Sequence, residues 1–180
     1  MKSVHHPYAG WQGQVPDEAH LPMVQNLAEL WQVNSLTSAL KSLSPHFSVT
    51  VLALANSEAY ADEVGFGVDA PLFCREVTLS LDGRAVVWAR SVCHRHSRYW
   101  LPILDCGTEP LGHRLFDGSL PITRSAFEYA LVPAMHPMLP QALAAALPVA
   151  ELGARRSTFW WGEDALLLTE CFLPAIEEYL

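Results

Sequence analysis

Positive charge is scarce in this sequence: 11 lysines and arginines stand against 19 acidic residues, for a net charge of -8. A surface of that sign repels phosphate backbones and anionic head groups, which argues against nucleic acid and acidic membranes as principal partners. Long apolar runs are missing as well. Met1 to Gln14 contains no continuous apolar segment, so neither a signal peptide nor an anchor is read there. The longest run of small apolar residues, Ala142 to Ala150, is too short to span a bilayer and is broken by Pro148. A soluble, cytoplasmic protein without a membrane anchor is expected. Cysteine is limited to Cys74, Cys93, Cys106 and Cys171, read as free thiols because the cytosol keeps them reduced. No glycine-rich phosphate loop, Gly-x-Ser-x-Gly elbow, Cys-His nucleophile pair or internal repeat occurs. Cys93-His94-Arg95-His96, with Cys106 downstream, fits no standard zinc spacing, so neither a metal nor an organic cofactor is expected.

What is present is an apolar chain of 180 residues, half of them hydrophobic, enough to bury one sizeable core. A single domain over residues 1–180 and a monomer are expected. The basic residues are unevenly distributed: only Lys2 and Lys41 precede position 75, and the other nine are arginines between Arg75 and Arg156. Fork-shaped anion binders are thus concentrated in one part of an acidic chain. Met23, Val24, Leu27, Leu30 and Trp31 recur at helical spacing, and a second helix from Leu36 to Leu43 follows a cap at Asn34 or Ser35. Phe47 to Leu54, Phe73 to Leu81, Val86 to Val92, Ser157 to Trp161 and Ala165 to Leu173 are rich in β-branched and apolar residues and read as strands. Asp82-Gly83 and Gly162-Glu163-Asp164 join two adjacent pairs as hairpins. The expected class is α+β, a mainly antiparallel sheet with helices packed against it. A Pro/Ala-rich insertion or flap at about 132–150 interrupts the pattern.

Strand alternation turns this outline into candidate chemistry. In Phe73 to Leu81, Arg75 shares a face with Val77, Leu79 and Leu81 and so points toward the core. If Asp82-Gly83 is a two-residue turn, Leu81 pairs with Arg84, and counting back sets Arg90 opposite Arg75. Two guanidinium groups facing each other on an apolar surface repel and are costly to bury, which suits a carboxylate or phosphate site. Alternatively, one arginine snorkels to solvent and the other meets an internal acid. In the last strand Glu170 shares a face with Leu166, Leu168 and Phe172 and is the only charge in an apolar run. It must be paired with a cation, protonated or at an edge, and the first two make it a candidate acid, base or hydrogen-bond partner. Two helix starts offer free amides: Leu36 after Asn34-Ser35, and Leu111 in Thr108-Glu109-Pro110-Leu111-Gly112, where Thr108 is the expected cap.

Arg75-Glu76, Leu81-Asp82-Gly83, Ala89-Arg90, Pro110-Leu111-Gly112 with Leu115-Phe116, Arg155-Arg156-Ser157 and the run from Leu166 to Pro174 occur here in the order seen in chorismate pyruvate-lyases. The chain resembles that family from about Asn34 to Pro174, with Leu36 standing where methionine is typical. The resemblance implies a chorismate lyase-like fold with a small enclosed site. It implies conversion of the small-molecule substrate chorismate into 4-hydroxybenzoate and pyruvate without a cofactor, the entry step of ubiquinone biosynthesis. It assigns the product carboxylate to Arg75 and the amides of Leu36 and Leu111, the hydroxyl to Glu170, and the enolpyruvyl carboxylate to Arg90. A second possibility is a small-molecule-sensing domain, because effector domains of some transcription regulators resemble this fold. A sensor would usually carry a DNA-binding helix-turn-helix, and the first 30 residues hold one basic residue.

Overall fold

A computed structural model of the chain describes residues 9–17, 27–63, 65–67 and 69–180. Met23 and Val24 of the first expected helix lie outside them, whereas Leu27, Leu30 and Trp31 are buried at and within α1 (Ala28–Gln32). α2 (Leu36–Leu43) begins as expected, its cap being Ser35, whose hydroxyl accepts from the Ser38 N–H. Strands β1 (Phe47–Glu58), β2 (Pro71–Leu81) and β3 (Arg84–His94) follow, then short helices α3 (Trp100–Leu104) and α4 (Leu111–Phe116). The chain continues through β4 (Thr123–Arg124), β5 (Glu128–Pro133), α5 (Gln141–Ala146), β6 (Glu151–Trp161) and β7 (Asp164–Phe172) to a final 3-10 turn, Pro174–Tyr179. All pairings are antiparallel, in the order β1-β2-β3-β7-β6-β4, with β5 also on β6. The architecture is therefore α+β; all five expected strands are present, four of them longer than expected and the fifth, β7, displaced by one residue.

The β2–β3 hairpin turns as the sequence predicts but runs on differently. Asp82 and Gly83 both adopt positive φ, 50° and 80°, the conformation a two-residue turn needs to match strand twist. Leu81 pairs with Arg84 and Ser80 with Ala85, but Leu79 then pairs with Val87. Val86 is the extra residue of a β-bulge, and its carbonyl instead accepts from the N–H of Leu173 just beyond β7. From there on the register is displaced by one: Arg75 pairs with Ser91, and Arg90 with Glu76. The expectation that Arg75 and Arg90 face each other is overturned, because a one-residue displacement sends a side chain to the opposite face.

Each face of the sheet has its own cover. Helices α1 to α4 and the final turn lie on the first, where Trp31, Leu40, Trp100, Leu104 and Ile176 pack against Val77, Leu79, Leu166 and Phe172. Trp31 lies so close to β6 that a Cβ on Gly153 would stand 2.7 Å from its ring, so only glycine fits there. On the second face Trp88, Ala130, Ala154 and Cys171 are covered by Ala9 and by Met138 and Leu139. The Pro/Ala-rich stretch thus packs against the second face. Among the described residues no helix is long and apolar enough to cross a membrane.

Candidate functional site

Two rungs of the sheet form the floor of a cavity on the first face. In one, Arg75 of β2 stands opposite Ser91 of β3, Ser91 opposite Leu168 of β7, and Leu168 opposite Ser157 of β6. In the next, Val77, Ala89, Glu170 and Arg155 follow in the same strand order. All eight line the cavity. Its walls are Asn34, Leu36 and Thr37 at the start of α2, Leu111, Gly112 and Phe116 of α4, and Phe127 ahead of β5. The cavity volume is ≈ 30 Å³, space for about two water molecules, so a ring-sized ligand needs side chains to move aside. No lining residue comes from 132–150; the aromatic groups at the edge belong to α4 and to the segment before β5.

Arg75 is 3% exposed, and its Nη2 donates to the carbonyls of Gly107 at 2.8 Å and Glu109 at 3.1 Å. Among the described residues no carboxylate pairs with it. Burial lowers its pKa from the usual value, so the protein holds a cation here at some cost and leaves it short of an anion. Glu170, 9% exposed, is held by Arg155, whose Nε donates to its Oε2 at 2.7 Å. Nη1 of Arg155 donates to the carbonyls of Leu30, Trp31 and Val33, and its guanidinium lies 4.4 Å from the centre of the Phe127 ring. Of the two carboxylate options that keep Glu170 inside, the structure selects pairing with a cation. Glu170 is therefore fixed in position, with its edge in the cavity.

Of the sequence-predicted site residues, Leu36, Arg75, Leu111 and Glu170 meet in this cavity and Arg90 does not. Arg90 projects from the second face into a cage of its own. Its Nε meets Glu63 at 2.6 Å, its Nη1 meets Glu76 at 2.7 Å, Nη2 donates to the Ser57 hydroxyl, and its guanidinium carbon lies 4.8 Å from the centre of the Tyr60 ring. Burial opposes its charge, but the Glu63 and Glu76 carboxylates outweigh it and raise the pKa above the usual value. It is the arginine that meets an internal acid. Leu111 is the first residue of α4, with Pro110 rather than Thr108 at the cap. As first helical residues, Leu36 and Leu111 carry N–H groups without intrahelical partners. The residue that sequence reasoning missed is Arg155. The sequence pattern starts this strand at Ser157, six residues after its true beginning at Glu151; alternation extended back from Ser157 and Phe159 puts Arg155 on their face.

Comparison with known proteins adds a second line of observation. The sequence profile of the family described as Chorismate lyase matches residues 8–178. A protein of Ralstonia nicotianae named "Probable chorismate pyruvate-lyase" is 38% identical over 183 residues, covering 95% of this chain and 92% of that protein. One of Burkholderia pseudomallei, "Probable chorismate pyruvate-lyase 1", is 34% identical, covering 92% of this chain and 90% of that protein. Among solved structures, the effector domain of PhnF from Mycobacterium smegmatis shares the fold with a TM-score of 0.53 at 15% identity, over 80% of this chain and 91% of that one. The last is a likeness of fold alone.

Proposed function

This chain belongs to the chorismate lyase family, and we propose that it splits chorismate into 4-hydroxybenzoate and pyruvate in the cavity beneath α2 and α4. The observation that carries the reading is the pairing, in one cavity, of a carboxylate-free buried arginine with a buried, cation-held carboxylate. A ring with a carboxylate at one end and a hydroxyl at the other offers an anion to Arg75 and a hydrogen-bond donor to Glu170. In this reading Arg75 and the amides of Leu36 and Leu111 hold the ring carboxylate, and Glu170 accepts the hydrogen of the ring hydroxyl.

The reaction asks for positioning more than for reagents. The ring carbon bearing the hydroxyl loses its hydrogen as a proton, that bond's electrons complete the aromatic ring, and the neighbouring ether C–O bond breaks with its pair on oxygen. The departing enolpyruvate takes up a proton at its methylene carbon and becomes pyruvate, so atoms and electrons balance without an oxidant. Aromatisation supplies the driving force. The protein contributes fixed charge in a site shielded from water, where oriented donors act without reorganising. Arg155 holds Glu170 in place through the 2.7 Å contact to its Oε2. The same reading makes residues 1–180 one cofactor-independent catalytic domain, cytoplasmic and monomeric, and the product the starting material for ubiquinone biosynthesis.

The test is to mix the purified protein with chorismate and a chelator and to follow 4-hydroxybenzoate and pyruvate. Equimolar release of both supports the reading. Binding of chorismate with no product would favour a ligand sensor, and release that stops with EDTA would require a metal.

A further inference from the structure

Chorismate carries two carboxylates, and the cavity floor answers only one of them. Arg155 is committed to Glu170 and to three carbonyls, Arg90 lies on the other face between two carboxylates, and Arg114 is paired with Glu109. One more arginine stands on the cavity's face of the sheet. Arg124 of β4 pairs with Phe159, which itself pairs with Leu166, so it shares their face at the outer end of β6. Asn34, Phe116 and Phe159 line both the cavity and an outer groove of ≈ 420 Å³, and Arg124 lines that groove. The groove therefore adjoins the cavity across these three residues, and Arg124 stands beside them on the groove side.

The surroundings of Arg124 are those of a cation kept for a ligand. Its guanidinium lies 4.4 Å from the centre of the Phe127 ring and 5.4 Å from that of Phe116, and Nη2 donates to the Asn34 side-chain oxygen at 2.9 Å. Among the described residues no carboxylate pairs with it. Phe127 is shared with Arg155, whose guanidinium is also 4.4 Å from that ring centre. Burial lowers the pKa of Arg124, and the neighbouring charge of Arg155 adds to the effect. An incoming anion would relieve that repulsion. Taken together, Arg75, Arg124 and Arg155 face a single carboxylate, Glu170, an excess of two positive charges in a chain whose net charge is -8. A dianion matches that excess.

Resting on the lyase reading above, we propose that Arg124 binds the enolpyruvyl carboxylate, so that the three-carbon portion of the substrate occupies the mouth of the cavity between Phe116, Phe127 and Asn34. Pyruvate then leaves through the outer groove while the aromatic product is still held inside. Arg124 is a substrate-binding residue that acts on the dianion and is indifferent to the monoanionic product.

The experiment compares the parent protein with Arg124→Gln and Arg124→Lys. Arg124→Gln should lower kcat/KM for chorismate by about ten-fold or more, the effect of losing a charged hydrogen bond, while Kd for 4-hydroxybenzoate stays within about two-fold. Arg124→Lys, which keeps the charge, should recover part of the loss. A probe for the parent alone covers the case of a variant that fails to fold: the dianion 3-(carboxymethoxy)-4-hydroxybenzoate should bind more tightly than its monoanionic 3-ethoxy counterpart, and added salt should narrow the difference. Equal kcat/KM in parent and Arg124→Gln, equal weakening of product and substrate, or equal affinity for the two ethers would overturn the assignment of Arg124 and leave the lyase reading standing. If the parent itself released no 4-hydroxybenzoate, the lyase reading would fall and this proposal with it.

Discussion

Replacing Arg90 by methionine separates the observed register from the one a bulge-free hairpin would give. The side chain of Arg90 is 1% exposed, and its guanidinium pairs with both Glu63 and Glu76, whose side chains are 5% and 15% exposed. Methionine keeps most of the stem volume against Tyr60 but leaves both carboxylates without their cation and too enclosed to regain full hydration. Removing one partner of a buried pair costs about 3–5 kcal/mol. For a chain of this size each kcal/mol moves the melting temperature by about 2–4 °C, so Tm should fall by about 6–20 °C. Activity should respond differently. With Arg90 on the face opposite the cavity, kcat/KM for chorismate, measured well below the new Tm, should remain within about three-fold of the parent. The assays are thermal and urea unfolding alongside 4-hydroxybenzoate release. An unchanged Tm with turnover lost ten-fold or more would refute the displaced register and put Arg90 back in the site.

Three further substitutions probe the rest of the sheet. Arg75→Met should weaken 4-hydroxybenzoate binding by about 2 kcal/mol, roughly 30-fold, yet leave the unfolding free energy within about 1 kcal/mol, because two carbonyls lose a donor while a costly buried cation disappears; titration calorimetry and urea unfolding check the two halves. Glu170→Gln retains an acceptor for Arg155 but removes the charge, so turnover should fall by about ten-fold or more while product affinity holds or improves, and a variant with full turnover would end the catalytic role of Glu170. On the second face, burial opposes the charge of Asp62, but His136 at 3.0 Å and the Trp11 indole N–H at 3.3 Å outweigh it and lower its pKa. A lowered carboxyl pKa contributes stability above the unfolded value that is lost as pH falls through the folded one. Asp62→Asn should therefore melt below the parent at pH 7, with the gap closing below about pH 4 as the parent's own carboxyl protonates, and a gap that persists there would count against the linkage.

Much of the fold was legible because it rests on local rules. β-branched runs marked β1, β2, β3, β6 and β7, Asp82-Gly83 specified its turn, and alternation set Arg75 and Glu170 on the core face. What stayed hidden depended on distant contacts. The carbonyl of the bulged Val86 reaches the N–H of Leu173, a residue just beyond β7, and no pattern within Arg84–His94 announces it. β5 is not among the expected strands, since EYALVP is short and is held in place by pairing with β6, and only its last two residues fall within the proline- and alanine-rich stretch. Arg155 was missed for the same reason: β6 begins at Glu151, and its first half is held by β5 and β7 rather than by strong propensity of its own.

A partner rule emerges that parity alone does not contain. The row Glu76, Arg90, Thr169, Arg156 and Glu128 crosses the second face of the same sheet one rung from the cavity floor, and both its arginines are answered by carboxylates. Those charges are spent within the protein, so changes there act on stability. On the first face Arg75 and Arg124 are answered by carbonyls, an amide and aromatic rings, all of which orient a guanidinium without neutralising it. A cation held this way, buried at Arg75 and half-buried at Arg124, is costly until an anion arrives, and that cost favours an anion as its ligand. Alternation can say which face an arginine takes; whether that arginine serves the fold or a ligand is decided by whether its partners carry the opposite charge. Arg155 lies between the two cases, paired with Glu170 inside the cavity, and it serves the ligand through that carboxylate.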